Sequence, residues 1–181
     1  CFPGWVSMCI HESSPANRHI ADKAADYSAS HFFPEKVPGQ QYGDFRNENL
    51  ENLTYPDNTF DLFITLDVLE HVFSPEEAIR QMLRVLRPGG ICVFTAPLHK
   101  NLRNTRQRAR LAVDGTIEYL HEAHYHGNPV GDGRSLVTWD YGEDFPEILE
   151  RWVHRPVIRI DHVDEIHGIE GEFLDVFLIK K

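Results

Sequence analysis

Five consecutive residues, Asp67-Val68-Leu69-Glu70-His71, place two carboxylates and an imidazole directly after an apolar run. An imidazole titrates near neutrality and serves as a general base. A neighbouring carboxylate can orient it or hold a cationic group. The plainer alternative is that Asp67 and Glu70 only cap a loop, and the local pattern leaves both readings open. A second concentration lies within residues 117–139, where His121, Glu122, His124 and His126 crowd together. Imidazole and carboxylate are common transition-metal ligands, but His124 comes one residue too early for HExxH. With no further ligand evident, no metal is expected. The segment reads instead as a loop folded over a binding site, with His71, His124 and His126 as candidate bases. Ordinary hydrogen-bonded loop histidines are the alternative.

The elements that must position these groups are punctuated clearly. Residues 60–66 are apolar, with β-branched Ile64 and Thr65, and suit a strand buried on both faces. Ser74 as N-cap, Pro75 at the first helical position and Glu77 closing a capping box predict a helix start. Ala78, Ile79, Met82, Leu83 and Leu86 then recur at helical spacing. Pro88-Gly89-Gly90 should stop that helix, and residues 91–95 form a second buried strand. Strand, crossover helix and strand in this order imply a parallel pair. Ligands of open parallel sheets sit at the C-terminal strand ends, which is where Asp67 to His71 fall.

Composition bounds the rest. The 181 residues suit one domain with a sizeable core, and the formal charge of -10 argues against a partner held by nucleic-acid phosphates. Cys1, Cys9 and Cys92 are scattered and odd in number, so no disulfide framework is expected and a reducing cytoplasm fits. No apolar run spans a membrane and no signal peptide is visible. Because the chain begins at Cys1, it is expected to be a piece of a longer protein.

The block PDNTFDLFITLDVLEHVFSPEEAIRQMLRVLRPGGICVFTAP resembles the centre of the class I S-adenosylmethionine-dependent methyltransferases of the type 11 kind. Phe60-Asp61, Leu69-Glu70-His71 and the run from Arg84 to Gly90 carry the resemblance. It implies a Rossmann-like α/β fold: a mostly parallel sheet with a C-terminal antiparallel hairpin and helices on both faces. It further implies methyl transfer from S-adenosylmethionine, leaving S-adenosylhomocysteine, to a small-molecule acceptor. By the same resemblance His11, Glu12, Ser13, Ser30, Asn49, Leu50, Asp67 and Leu69 would line the cofactor.

The N-terminal part departs from that family. Residues 5–10 read as the first strand, and HESSP follows where a Gly-rich loop is usual. Ser14 and Pro15 then suit the start of an amphipathic helix over 16–26, and residues 27–33 suit the second strand. Its end carries Ser30-His31 in place of an acid. A rival register makes residues 5–10 the second strand and Glu12 the ribose acid, but it leaves a gap at mid-sheet. A third short strand is expected within 43–53. Residues 98–112 carry Lys100, Arg103, Arg106, Arg108 and Arg110 and suit a basic surface helix. A helix from Asp144 and strands at 157–160 and 173–179 complete the chain. The expected organisation is one methyltransferase-like domain over 1–181 with a substrate-side insertion at 98–142. The missing glycines also leave open a non-catalytic domain of this fold that has lost the cofactor.

Overall fold

A computed structural model describes residues 4–15, 19–127, 133–161 and 163–181. The chain opens with β1 (Cys9–Ser13) and β2 (Asp26–His31), followed by the hairpin β3 (Gln41–Tyr42) and β4 (Phe45–Asn47). Then come β5 (Phe60–Thr65), α1 (Pro75–Val85) and β6 (Leu86–Thr95). The described residues of 98–142 hold six short strands: β7 (Arg106–Gln107), β8 (Ala109–Leu111), β9 (Ile117–Tyr119), β10 (Tyr125–Gly127), β11 (Arg134–Leu136) and β12 (Trp139–Asp140). The chain closes with α2 (Phe145–Val153), β13 (Val157–Asp161) and β14 (Asp175–Lys180).

The main sheet has eight strands in the order β13-β14-β6-β5-β1-β2-β4-β3. β6, β5, β1, β2 and β4 run parallel, while β14 and β13 close one edge antiparallel and β3 the other. This is the expected Rossmann-like α/β architecture with its C-terminal antiparallel hairpin. β1 lies at mid-sheet between β5 and β2, so the rival register is excluded.

The larger core fills one face. Phe60, Phe63, Cys92, Phe94, Phe177 and Ile179 meet Ala78, Ile79, Met82 and Leu83 of α1 and Phe145 and Leu149 of α2. Both α-helices of the described residues belong to this face. The other face carries Ile10, Leu62 and Ile64, with Trp5, Met8, Ile20, Ala24 and Tyr27 against them. Towards the β13 edge it is open, and Ile158 is 60% exposed. No helix among the described residues is long and apolar enough to cross a membrane.

Several local expectations are corrected. The first strand begins four residues later than expected: Trp5–Ser7 is a short 3-10 turn, and β1 takes in His11, Glu12 and Ser13. In that register Ile10 pairs with Leu62 on the apolar side. The helix expected over 16–26 is replaced by turns across 19–23, while 16–18 lie outside the described residues. Residues 98–112 form no helix; Arg106 lies in β7 and Arg110 in β8, and Arg106 and Arg108 both reach Asp140. The capping box does not form. Glu77 accepts from Gln81 at 2.8 Å, and the Ser74 N–H donates to Glu51 Oε1 at 2.7 Å, so a distant carboxylate replaces the local partner. Pro88-Gly89-Gly90 lies inside β6 rather than ahead of it, with a register shift between Phe60 and Leu62. A Cβ on Gly90 would sit 2.9 Å from the Arg87 carbonyl oxygen, so only glycine lets the strand pass there.

Candidate functional site

The end of β1 shows how a glycine-poor sequence makes this turn. Ser14 adopts φ 51°, the left-handed conformation glycine usually supplies, and its N–H donates to the Ser30 carbonyl at 2.8 Å. Strand alternation sends Glu12 and His11 to opposite faces. Glu12 accepts from the Tyr27 hydroxyl at 2.8 Å, and burial pushes its carboxyl up. His11 is 0% exposed, stacked 4.9 Å from Phe60 and ringed by Tyr55 and Phe63. Its two nitrogens share hydrogen bonds with Ser28 Oγ (2.8 Å) and Ser30 Oγ (3.0 Å). Burial holds its pKa down at about 3, so it is a neutral core histidine. His11 and Ser30, both expected to line the cofactor, have enclosed side chains. Ser13 is likewise buried.

Asn49 turns its chain locally, its Oδ1 accepting from Glu51 N–H at 2.9 Å, and Leu50 is buried beneath it. Asp67, at the end of β5, is exposed and adopts φ 53°. Its N–H donates to Thr95 Oγ1 (3.0 Å), and the Thr95 hydroxyl donates back to Asp67 Oδ1 (2.8 Å). The ends of two adjacent strands thereby fix one solvent-facing carboxylate.

The loop after Asp67 is held from far away. Thr138 N–H donates to the Glu70 carbonyl (2.7 Å), and its single hydroxyl hydrogen is shared between the carbonyls of Val72 (2.6 Å) and Glu70 (3.0 Å). Trp139 Nε1 donates to the Phe73 carbonyl (3.3 Å), and Tyr141 Oη to that of Leu69 (2.7 Å). Leu69 is fully buried. Thr138 and Tyr141 were not among the expected site residues. Their partners lie across the fold, and no local pattern marks them.

This clamp brings the two polar concentrations of the sequence together. His71 and His126 stand edge-to-face with ring centroids 5.0 Å apart, and His124 is 5.2 Å from His126. Glu70 Oε1 lies 3.7 Å from His71 Nε2 and 3.8 Å from His126 Nδ1, beyond hydrogen-bond reach. His71 Nδ1 donates to the Leu136 carbonyl at 2.8 Å, because a carbonyl only accepts. The Nε2 lone pair of neutral His71 is therefore free and points towards Glu70. Burial, above all, lowers the pKa of both His71 and His126, and raises Glu70 to about 8. His121 is exposed and stands outside this group.

Comparison with known proteins agrees with this architecture. A family model described as a methyltransferase domain matches residues 17–94. The chain is 47% identical over 51 residues to norajmaline N-methyltransferase of Rauvolfia serpentina, covering 28% of this chain and 18% of that protein. It is 45% identical over 58 residues to the ubiquinone/menaquinone biosynthesis C-methyltransferase UbiE of Shewanella sediminis, covering 30% and 23%. The chain thus spans less than a quarter of these two relatives. In three dimensions it is similar to an S-adenosylmethionine-dependent methyltransferase from Mesorhizobium loti, with TM-score 0.62 and 14% identity over 99% of this chain and 94% of the other. The strand order, the Asp67–His71 loop at the carboxyl ends of β5 and β6, and the sequence match across that loop agree: residues 17–94 are similar to a methyltransferase domain, and the chain has the Rossmann-like fold of S-adenosylmethionine-dependent methyltransferases.

Proposed function

We propose that this protein transfers a methyl group from S-adenosylmethionine to a small-molecule acceptor. The observation that carries the proposal is the anchored, exposed carboxylate of Asp67 beside the left-handed turn at Ser14, on adjacent parallel strands. Ser14 supports the fit, because its backbone makes the turn that a Gly-rich loop would otherwise make. The asparagine and leucine at 49–50, the Asp67 carboxylate and the backbone of Glu12, Ser13 and Ser14 are the groups we assign to the cofactor. Through their side chains His11, Ser30 and Leu69 support this surface rather than touch it. Bound there, S-adenosylmethionine supplies an electrophilic methyl on sulfur.

The chain's own share is alignment and proton removal. Orientation of acceptor against methyl can supply much of the rate. The free Nε2 of His71 is the base we assign to an acceptor O–H or N–H, and its neutral state near pH 7 follows from its lowered pKa. His126, and His124 beside it, would face the acceptor from residues 98–142, which act here as the substrate-side insertion of a single domain. The relatives methylate nitrogen in one case and carbon in the other, going by their names. A cytoplasmic setting and no nucleic-acid partner complete the reading, supported by free Cys9 and Cys92 and by the acidic charge.

Calorimetric titration with S-adenosylmethionine and S-adenosylhomocysteine, with ATP as control, tests the proposal. Saturable binding of both that is lost in Asp67→Ala is the expected outcome. A folded sample that binds neither would leave a methyltransferase fold without its cofactor.

A further inference from the structure

We propose that Glu70, His71 and His126 form a binding site for one borderline first-row divalent cation, with Zn2+ as its reference ion. The HEAH run at 121–124 lacks HExxH spacing, and His121 stands apart. The site is assembled instead from one short turn and one distant hairpin. Its donors are two imidazole nitrogens and one carboxylate oxygen, all within 4.8 Å of one another. Around a four-coordinate Zn2+ at about 2.0–2.1 Å, donors stand roughly 3.3–3.5 Å apart. The Glu70–His71 and Glu70–His126 separations of 3.7 and 3.8 Å need only a few tenths of an ångström. His126 sits on the β10–β11 hairpin and is partly exposed, so it can close the remaining distance.

Three independent features point to a ligand. Glu70 is 1% exposed, yet its Oε2 has no hydrogen-bond partner. A buried carboxyl oxygen without a partner is costly; the imidazoles face Oε1, so a cation satisfies Oε2 by binding both oxygens of Glu70. His71 donates Nδ1–H to a backbone carbonyl, the outer-shell contact that fixes a ligating imidazole with its other nitrogen free. The Asp67 carboxylate acts electrostatically on all three residues and adds negative charge beside the site. Two imidazoles and one carboxylate favour Zn2+, Fe2+ or Co2+ over Mg2+ or Ca2+, which prefer all-oxygen shells. Three protein ligands leave a position open to water or to an acceptor oxygen or nitrogen. A cation on His71 Nε2 would occupy the lone pair assigned above as the base, so His71 serves as base only in the metal-free protein; the inference rests on donor geometry and not on methyl transfer.

The test is titration of tag-free, chelator-stripped protein with ZnCl2, without S-adenosylmethionine, so failure of cofactor binding would not affect it. One Zn2+ per chain is expected, with affinity reduced by at least about 10–100-fold in Glu70→Gln and in His126→Asn. His121→Ala should bind as wild type. Co2+ should add visible absorption bands that disappear in His126→Asn. Because His126 lies on a partly exposed hairpin, that variant serves if Glu70→Gln fails to fold. Absence of saturable 1:1 binding by folded wild type would overturn the proposal. So would binding that survives His126→Asn and is lost in His121→Ala.

Discussion

The Tyr141 hydroxyl donates to the carbonyl oxygen of Leu69 at 2.7 Å, across 72 residues of sequence. Both residues are fully buried. This bond, with those from Thr138 and Trp139, fixes the loop that carries Asp67, Glu70 and His71. Removing the hydroxyl in Tyr141→Phe leaves the Leu69 carbonyl without that donor. A stability loss of ~1–3 kcal/mol is expected, read from the urea midpoint. An unchanged midpoint would show that water or another donor replaces the bond.

Gly142 follows in the same clamp and has no room for a side chain. An added Cβ would lie 2.6 Å from the Leu102 carbonyl oxygen and 2.7 Å from the carbonyl carbon of Asn104. Gly142→Ala should therefore push residues 98–105 away from the clamp and cost about 1–3 kcal/mol. Thermal unfolding of the variant measures this, and a melting temperature equal to wild type would contradict it.

His11 gives the fold a defined acid sensitivity. Its pKa is held at about 3 in the folded chain, against an ordinary 6.5 when unfolded. Above pH 6.5 neither state binds the proton and the full stability is present. Between 6.5 and about 3 only the unfolded state binds it, so stability falls by ~1.4 kcal/mol per pH unit from this group. His11→Leu should flatten the fall of stability between pH 6 and about 4 by close to one proton, whatever its effect at pH 7. Parallel curves for the two proteins would remove His11 as the source.

Ser14 holds a conformation that costs an L-residue about 1–2 kcal/mol. Glycine adopts it freely but loses ~0.5–1 kcal/mol more chain entropy on folding. Ser14→Gly is expected to stabilise the protein by up to about 1 kcal/mol, measured by chemical denaturation. A clear destabilisation would mean that the serine hydroxyl itself holds the turn.

From the sequence alone, the centre of the molecule was legible. The apolar run at 60–65 and the amphipathic spacing from Ala78 to Leu83 are local patterns. Their burial is enforced by the simple need to hide one face, so β5, α1 and the parallel crossover followed directly. The closing helix α2 was legible for the same reason, while the antiparallel pairing of β13 with β14 was expected from the family resemblance. The bounds of β1 were not. Residues 5–10 are as apolar as a strand, and only pairing with β5, which sets Ile10 against Leu62, moves the strand on to His11 and Glu12. The basic run at 98–112 looked like a helix face until Asp140 drew Arg106 and Arg108 together across the clamp. Residue types named His71, His124 and His126 as candidates, but their assembly around Glu70 was decided by Thr138, Trp139 and Tyr141. Those three act through buried backbone carbonyls more than 60 residues away in the chain. A carbonyl has no side-chain signature, so a site held by carbonyls exists only once the chain has folded back on itself.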